Sequence, residues 1–184
     1  MEESSQIKEI LYEEIKKIPV KELEKLFVEK NYLKLTEKLF EKVLPRISNV
    51  HGEISEKLGI LSESISHYML TEMLIPTQRK IIYKNNEIDI VIPNLSMLKD
   101  RSNNTIIIYF TKSSNNEKIW NKINDLQIIQ KNTENICVVL HNKINLPCKT
   151  YLVNDDENSL SKLFTDVKNF VTGKKLDKLK IFKS

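Results

Sequence analysis

The sequence predicts an α/β fold, a mixed β-sheet flanked by helices, with an α-helical extension at its N-terminal end. Three observations predict it. Apolar residues recur at three- and four-residue spacing from Ser4 to about Leu44 and again through residues 51–75. The period then gives way to short β-branched runs, RKIIYK, EIDIVIP and NTIIIYF, separated by turn residues or a polar loop. An amphipathic stretch at 116–131 follows the third run and precedes a fourth; a strand–helix–strand passage needs a crossover, so the third and fourth strands are expected to be parallel.

Taken in order, Ile7, Ile10, Leu11, Ile15 and Ile18, then Leu23, Leu26 and Phe27, then Leu33, Leu35, Leu39 and Phe40 form the apolar faces of two or three helices. Pro19 breaks the first and Pro45 is expected to end the last, because the proline ring cannot continue the hydrogen-bond ladder. Residues 1–45 are therefore read as a helical extension for packing or for docking a second copy or another protein, dispensable to the sheet, and residues 46–184 as the α/β domain. RKIIYK (79–84), an Asn85–Asn86 turn and EIDIVIP (87–93) read as a β-hairpin. Strands follow at 104–110, 135–142 and 149–154, with helices at 116–131 and 159–171. On the first of those two helices Ile119, Trp120, Ile123, Leu126 and Ile129 share the apolar side. The order is α-β-β-β-α-β-β-α.

At 184 residues and 40% hydrophobic content the chain can bury the core of one domain. Charged residues make up 29% and the net charge is +4, a mild excess that favours an acidic partner without naming one. Cys137 and Cys148 stand apart from any metal-ligand pattern, so zinc and a disulfide framework are not indicated, and a reducing cytoplasm is the expected location. The opening MEESSQIKEI is polar and acidic, and no apolar run approaches the roughly 20 residues that span a bilayer. No membrane association is expected.

The strand NEIDIVIPN (86–94) resembles the Gly-Glu-Ile-Asp-Leu-Ile type of strand in Holliday-junction-resolvase-like members of the PD-(D/E)xK nuclease superfamily. The α-β-β-β-α-β order is also theirs. The resemblance covers residues 60–142 and implies a restriction-endonuclease-like core acting on DNA with Mg2+ or Mn2+. By it Asp89 is a metal ligand, with Glu87 on the same strand face as a second ligand or catalytic group. In TIIIYFTKS (105–113) Lys112 matches the catalytic lysine, whereas Phe110 stands where the family carries a metal-binding Glu. Glu63, on the preceding helix, matches a further acidic ligand. Arg79, Lys80, Lys84 and Lys112 are the candidate nucleic-acid contacts. Hard divalent ions need fixed carboxylates, so the missing Glu points to a degenerate site.

Each of these residues also has a plain reading. Glu87 and Asp89 fit the solvated face of a hairpin strand, and Lys112 fits a solubilising charge at a strand end. His51, His67 and His141 lie in no ligand spacing. Residues 51–75 carry a competing pattern: Ile54, Ser55, Leu58, Gly59, Ile60, Ile65 and Tyr68 fall as in a helix-turn-helix, with Gly59 in the turn and the hairpin 79–93 as the wing of a winged-helix regulator. Its recognition helix would present Glu63, Ser64, Ser66 and His67, which attract no phosphate. The sequence thus predicts a nucleic-acid-binding protein with a degenerate nuclease-like site, against two alternatives: the winged-helix regulator, and a non-catalytic subunit of a DNA-processing complex.

Overall fold

The computed structural model describes residues 2–153 and 159–181. Helices α1 (Glu2–Lys16), α2 (Val20–Val28), α3 (Tyr32–Ile47) and α4 (Ile54–Glu72) precede strands β1 (Gln78–Tyr83) and β2 (Asn86–Ile92). Then come α5 (Leu95–Asp100), β3 (Ile106–Phe110), α6 (Asn116–Ile129), β4 (Ile136–Leu140), β5 (Lys149–Leu152) and α7 (Leu160–Ile181). The strands form one sheet in the order β1-β2-β3-β4-β5. β1, β2 and β3 run antiparallel to one another in turn, and β3, β4 and β5 run parallel. The α-β-β-β-α-β core is α4-β1-β2-β3-α6-β4, a mixed sheet flanked by helices.

Both faces of the sheet are covered. On one, Ile90, Ile92, Ile106, Ile108, Phe110, Cys137 and Val139 join residues of α1, α2, α3, α4 and α7 in a single apolar cluster. On the other, Ile88, Val91, Ile107, Ile136, Val138 and Leu140 pack with Leu98 of α5 and with Ile119, Ile123, Leu126 and Ile129 of α6. Such double burial is why β3 and β4 read as unbroken apolar runs rather than alternating ones. The helices expected to form an extension over 1–45 share the first cluster: Ile7 and Leu11 of α1 and Leu35, Leu39 and Val43 of α3 are fully buried with Ile90 and Phe110. Their apolar faces are turned inward, onto the sheet-bearing part of the chain.

Several expectations are corrected. Pro45 does not end α3, which runs on to Ile47. The hairpin turn is Lys84–Asn85, both left-handed at φ 50° and 60°, so Tyr83 pairs with Asn86; this is the two-residue turn whose twist suits a hairpin, one residue earlier than read. Residues 95–100, read as loop, form α5, started by Asn94, whose side chain accepts from Met97 N–H. Trp120, placed on the apolar side of α6, is 39% exposed.

The largest correction concerns α4. A helix-turn-helix needs a break at Gly59, yet α4 runs unbroken from Ile54 to Glu72. Gly59 serves close packing instead, since a Cβ there would lie 2.4 Å from the Thr111 carbonyl oxygen and 2.8 Å from Lys112 Cγ. The supposed recognition face is interior, with Ser62, Glu63, Ser64 and Ser66 all buried. A helix in that position cannot enter a DNA groove, and the winged-helix arrangement is absent here. Both cysteines are free, and among the described residues no helix is long and apolar enough to cross a membrane.

Candidate nucleic-acid interface

The site forms where the β1–β2–β3 ladders fail. Pairing of β1 with β2 runs from Gln78–Val91 and Arg79–Ile90 directly to Ile81–Ile88, leaving out Lys80 and Asp89. Lys80 has a left-handed backbone at φ 48°, which costs a non-glycine residue of order 1–3 kcal/mol and persists only where its surroundings hold it. The strand faces change across this point: Ile88 packs in the α6-side cluster, Ile90 in the α4-side cluster. Simple alternation along β2 is therefore interrupted at Asp89. The β2–β3 ladder likewise ends at Ile90–Ile108. Beyond it the Phe110 N–H donates 2.9 Å to Asp89 Oδ2, so a side chain does the work of a strand carbonyl.

Four charged residues converge there. Lys112, just past β3, places Nζ 2.9 Å from Asp89 Oδ1 and 2.9 Å from Glu63 Oε2. Arg79 Nη2 lies 2.9 Å from Glu63 Oε1. Every oxygen of the two carboxylates thus already accepts a bond from a cation or an amide. Glu63 reaches Lys112 because Gly59, one turn earlier on the same helix, lets α4 close against Thr111 and Lys112.

Burial alone would push the Glu63 carboxyl up, but Lys112 and Arg79 outweigh it and hold Glu63 below the usual glutamate value. Burial also works against the Lys112 ammonium, yet Asp89 and Glu63 prevail and keep it charged above the ordinary lysine value. Asp89 is buried and pushed upward by that burial, against the pull of Lys112 and of the Phe110 N–H. These are the mutual effects of paired, desolvated charges.

Two residues to which sequence reasoning gave no part in this site lie in its field. Lys8 of α1 lies in the field of Lys80, Glu63, Arg79 and Lys112, and burial first, then Lys80, lowers its pKa. His67, one turn beyond Glu63, is held below the ordinary histidine value by burial and by Arg79. Neither shows a signal in sequence, because both join through packing of α1 and α4. The ion pairs of Glu63 are with Arg79 and Lys112; Lys8 and Lys80 act on it through space.

Of the residues singled out in sequence, the structure gathers Glu63, Arg79, Lys80, Asp89 and Lys112. Glu87 stays apart: it is exposed, and its backbone carbonyl accepts from Lys122 Nζ at 2.6 Å. Lys84 sits in the hairpin turn with Nζ 5.5 Å from the centre of the Tyr83 ring. Phe110 is fully buried among core residues of the α4 side. Among the described residues no group of three or more His, Cys, Asp or Glu side chains is placed to hold a metal ion. A divalent ion such as Mg2+ asks for several free hard oxygens in near-octahedral array. Two carboxylates already bonded to cations, with Phe110 in the core, do not fit it.

No protein-family model matches the sequence, and no curated protein matches it. A solved structure of metal-depleted Ecl18kI in complex with uncleaved, modified DNA is similar in fold, at 13% identity and a TM-score of 0.46, over 86% of this chain and 58% of that one. The chain thus spans a little over half of that protein's length. So distant a likeness assigns no residue and no activity.

Proposed function

We propose that this chain is a nucleic-acid-binding domain on a nuclease-like fold, one that grips the DNA backbone and does not cut it. The observation that carries this reading is the charge of the cluster: Arg79 and Lys112 are paired with Glu63 and Asp89, and Lys8 and Lys80 lie in the field of Glu63, four cations to two carboxylates. The surplus belongs mainly to Lys8 and Lys80, whose ammonium groups are outside the ion pairs just described. Arg79 is committed through Nη2 to Glu63. Lys112 has three ammonium donors, of which two are spent on Asp89 and Glu63.

Binding of this kind draws on phosphate charge and released counterions, so it is weakly sequence-specific. The test is a combined binding and cleavage assay on duplex and branched DNA in chelator, Mg2+ and Mn2+. Binding is expected in chelator, with no cleavage in either metal. Lys8→Ala and Lys80→Ala are expected to weaken it, and Glu87→Ala to leave it unchanged. Metal-dependent nicking abolished by Asp89→Ala would overturn the binding-only reading.

A further inference from the structure

The ion cluster supports a conclusion about what has taken the place of a metal. Glu63 comes from α4, Asp89 from β2 and Lys112 from the end of β3, so three separate elements bring two carboxylates to one point. The carboxylate side chains are only 3% and 7% exposed. Two buried carboxylates aimed at one position repel each other and need a cation between them. The cation there is the Lys112 ammonium, 2.9 Å from each.

We infer that the Lys112 ammonium is a built-in replacement for a bound divalent cation: together with Arg79 it neutralises Glu63 and Asp89 permanently, making the cluster metal-independent and leaving its outer cations to meet phosphate. Two of the oxygens a metal would require already converge there. Oxygens 2.9 Å from a shared centre need to move inward by less than 1 Å to reach the about 2.1–2.5 Å of Mg2+ or Ca2+ ligation. What excludes the ion is the covalently tethered charge already seated there, backed by Arg79 on the far oxygen of Glu63. Phe110 reinforces this, since its core-packed ring supplies no third oxygen. Removing the ammonium while keeping the carboxylates is therefore expected to create a cation site.

This inference rests on reading the cluster as the binding site of the molecule, but its test contains no DNA, so the two can fail separately. Mn2+ alone is titrated into wild type, Lys112→Met and Lys112→Met/Asp89→Asn, with melting temperature and isothermal titration as readouts. Wild type is expected to show no saturable Mn2+ binding and no shift in melting temperature. Lys112→Met is expected to melt lower in chelator and to recover by several degrees with millimolar Mn2+, as a ligand that binds only the folded state requires. The double variant is expected to lose that recovery. A folded Lys112→Met that gains no Mn2+ binding overturns the inference. If Lys112→Met does not fold, wild type decides: saturable Mn2+ binding abolished by Asp89→Asn or Glu63→Gln overturns it, and no such binding supports it.

Discussion

Phe110 occupies the position where the resemblance calls for a carboxylate, and its ring is fully buried against residues of α4 and the neighbouring strands. Its contribution is that of a core aromatic. Phe110→Ala is expected to cost about 3–5 kcal/mol of unfolding free energy, and Phe110→Glu to destabilise at least as much, because the new charge would be buried among core residues with Arg79 and Lys112 already paired. Urea melts of the two variants measure this; a Phe110→Glu variant as stable as wild type would show that the position still tolerates a ligand. The histidines give a second prediction at this scale. His67 and His141 are both held below the ordinary value of 6.5, chiefly by burial. Their folded pKa values lie below the unfolded ones, so the stability they confer is present above pH 6.5 and is lost as pH falls through the folded values. The melting temperature is expected to drop as pH falls below 6.5, more steeply in wild type than in His67→Gln/His141→Gln. A melting temperature that is flat or rises on acidification through that range would contradict it.

Among the elements, α4 shows where reading the sequence succeeded and where it stopped. Its helical period was legible, as were the β-branched strands and the amphipathic α6, because periodicity reflects which faces are buried and these faces are buried. The role of Gly59 was not legible. A glycine beside serines serves equally as a turn or as a close-packing point, and only the approach of Thr111 and Lys112 decides between them. Glu63, Asp89 and Lys112 could be named from the family resemblance of their segments, but their partners could not. Lys8 comes from a helix far away in sequence, and Lys80 takes part through a left-handed backbone that no β-propensity announces. The element-scale prediction follows from Gly59. Its added methyl would meet backbone, which cannot swing aside, so Gly59→Ala is expected to push α4 off the end of β3. Overpacking of this kind costs about 1–3 kcal/mol, and the shift in Lys112 is expected to weaken DNA binding as well. An alanine variant with unchanged stability and affinity would show that the contact does not position the site.

For the whole molecule, the helices over residues 2–47 are structural partners of the sheet. Ile7, Leu11, Leu35, Leu39 and Val43 are fully buried, and at about 1.5–3 kcal/mol each their loss rivals the net 5–15 kcal/mol of a typical domain. A chain lacking residues 1–47 is expected to lose its cooperative unfolding transition. A truncated chain that keeps this transition in circular dichroism would contradict it. α1 also carries Lys8 to the ion cluster, so stability and binding surface depend on the same helix. The most direct test of the central claim, metal-independent capture of phosphate by the cations around Glu63 and Asp89, is the salt dependence of duplex binding in chelator. For wild type, the logarithm of the association constant is expected to fall linearly with the logarithm of salt concentration, by about 0.9 per phosphate contact. Lys8→Ala/Lys80→Ala is expected to bind more weakly, with a slope shallower by about one for each lysine removed. Affinity insensitive to salt, an unchanged slope in the double variant, or binding that appears only when Mg2+ replaces the chelator would contradict it.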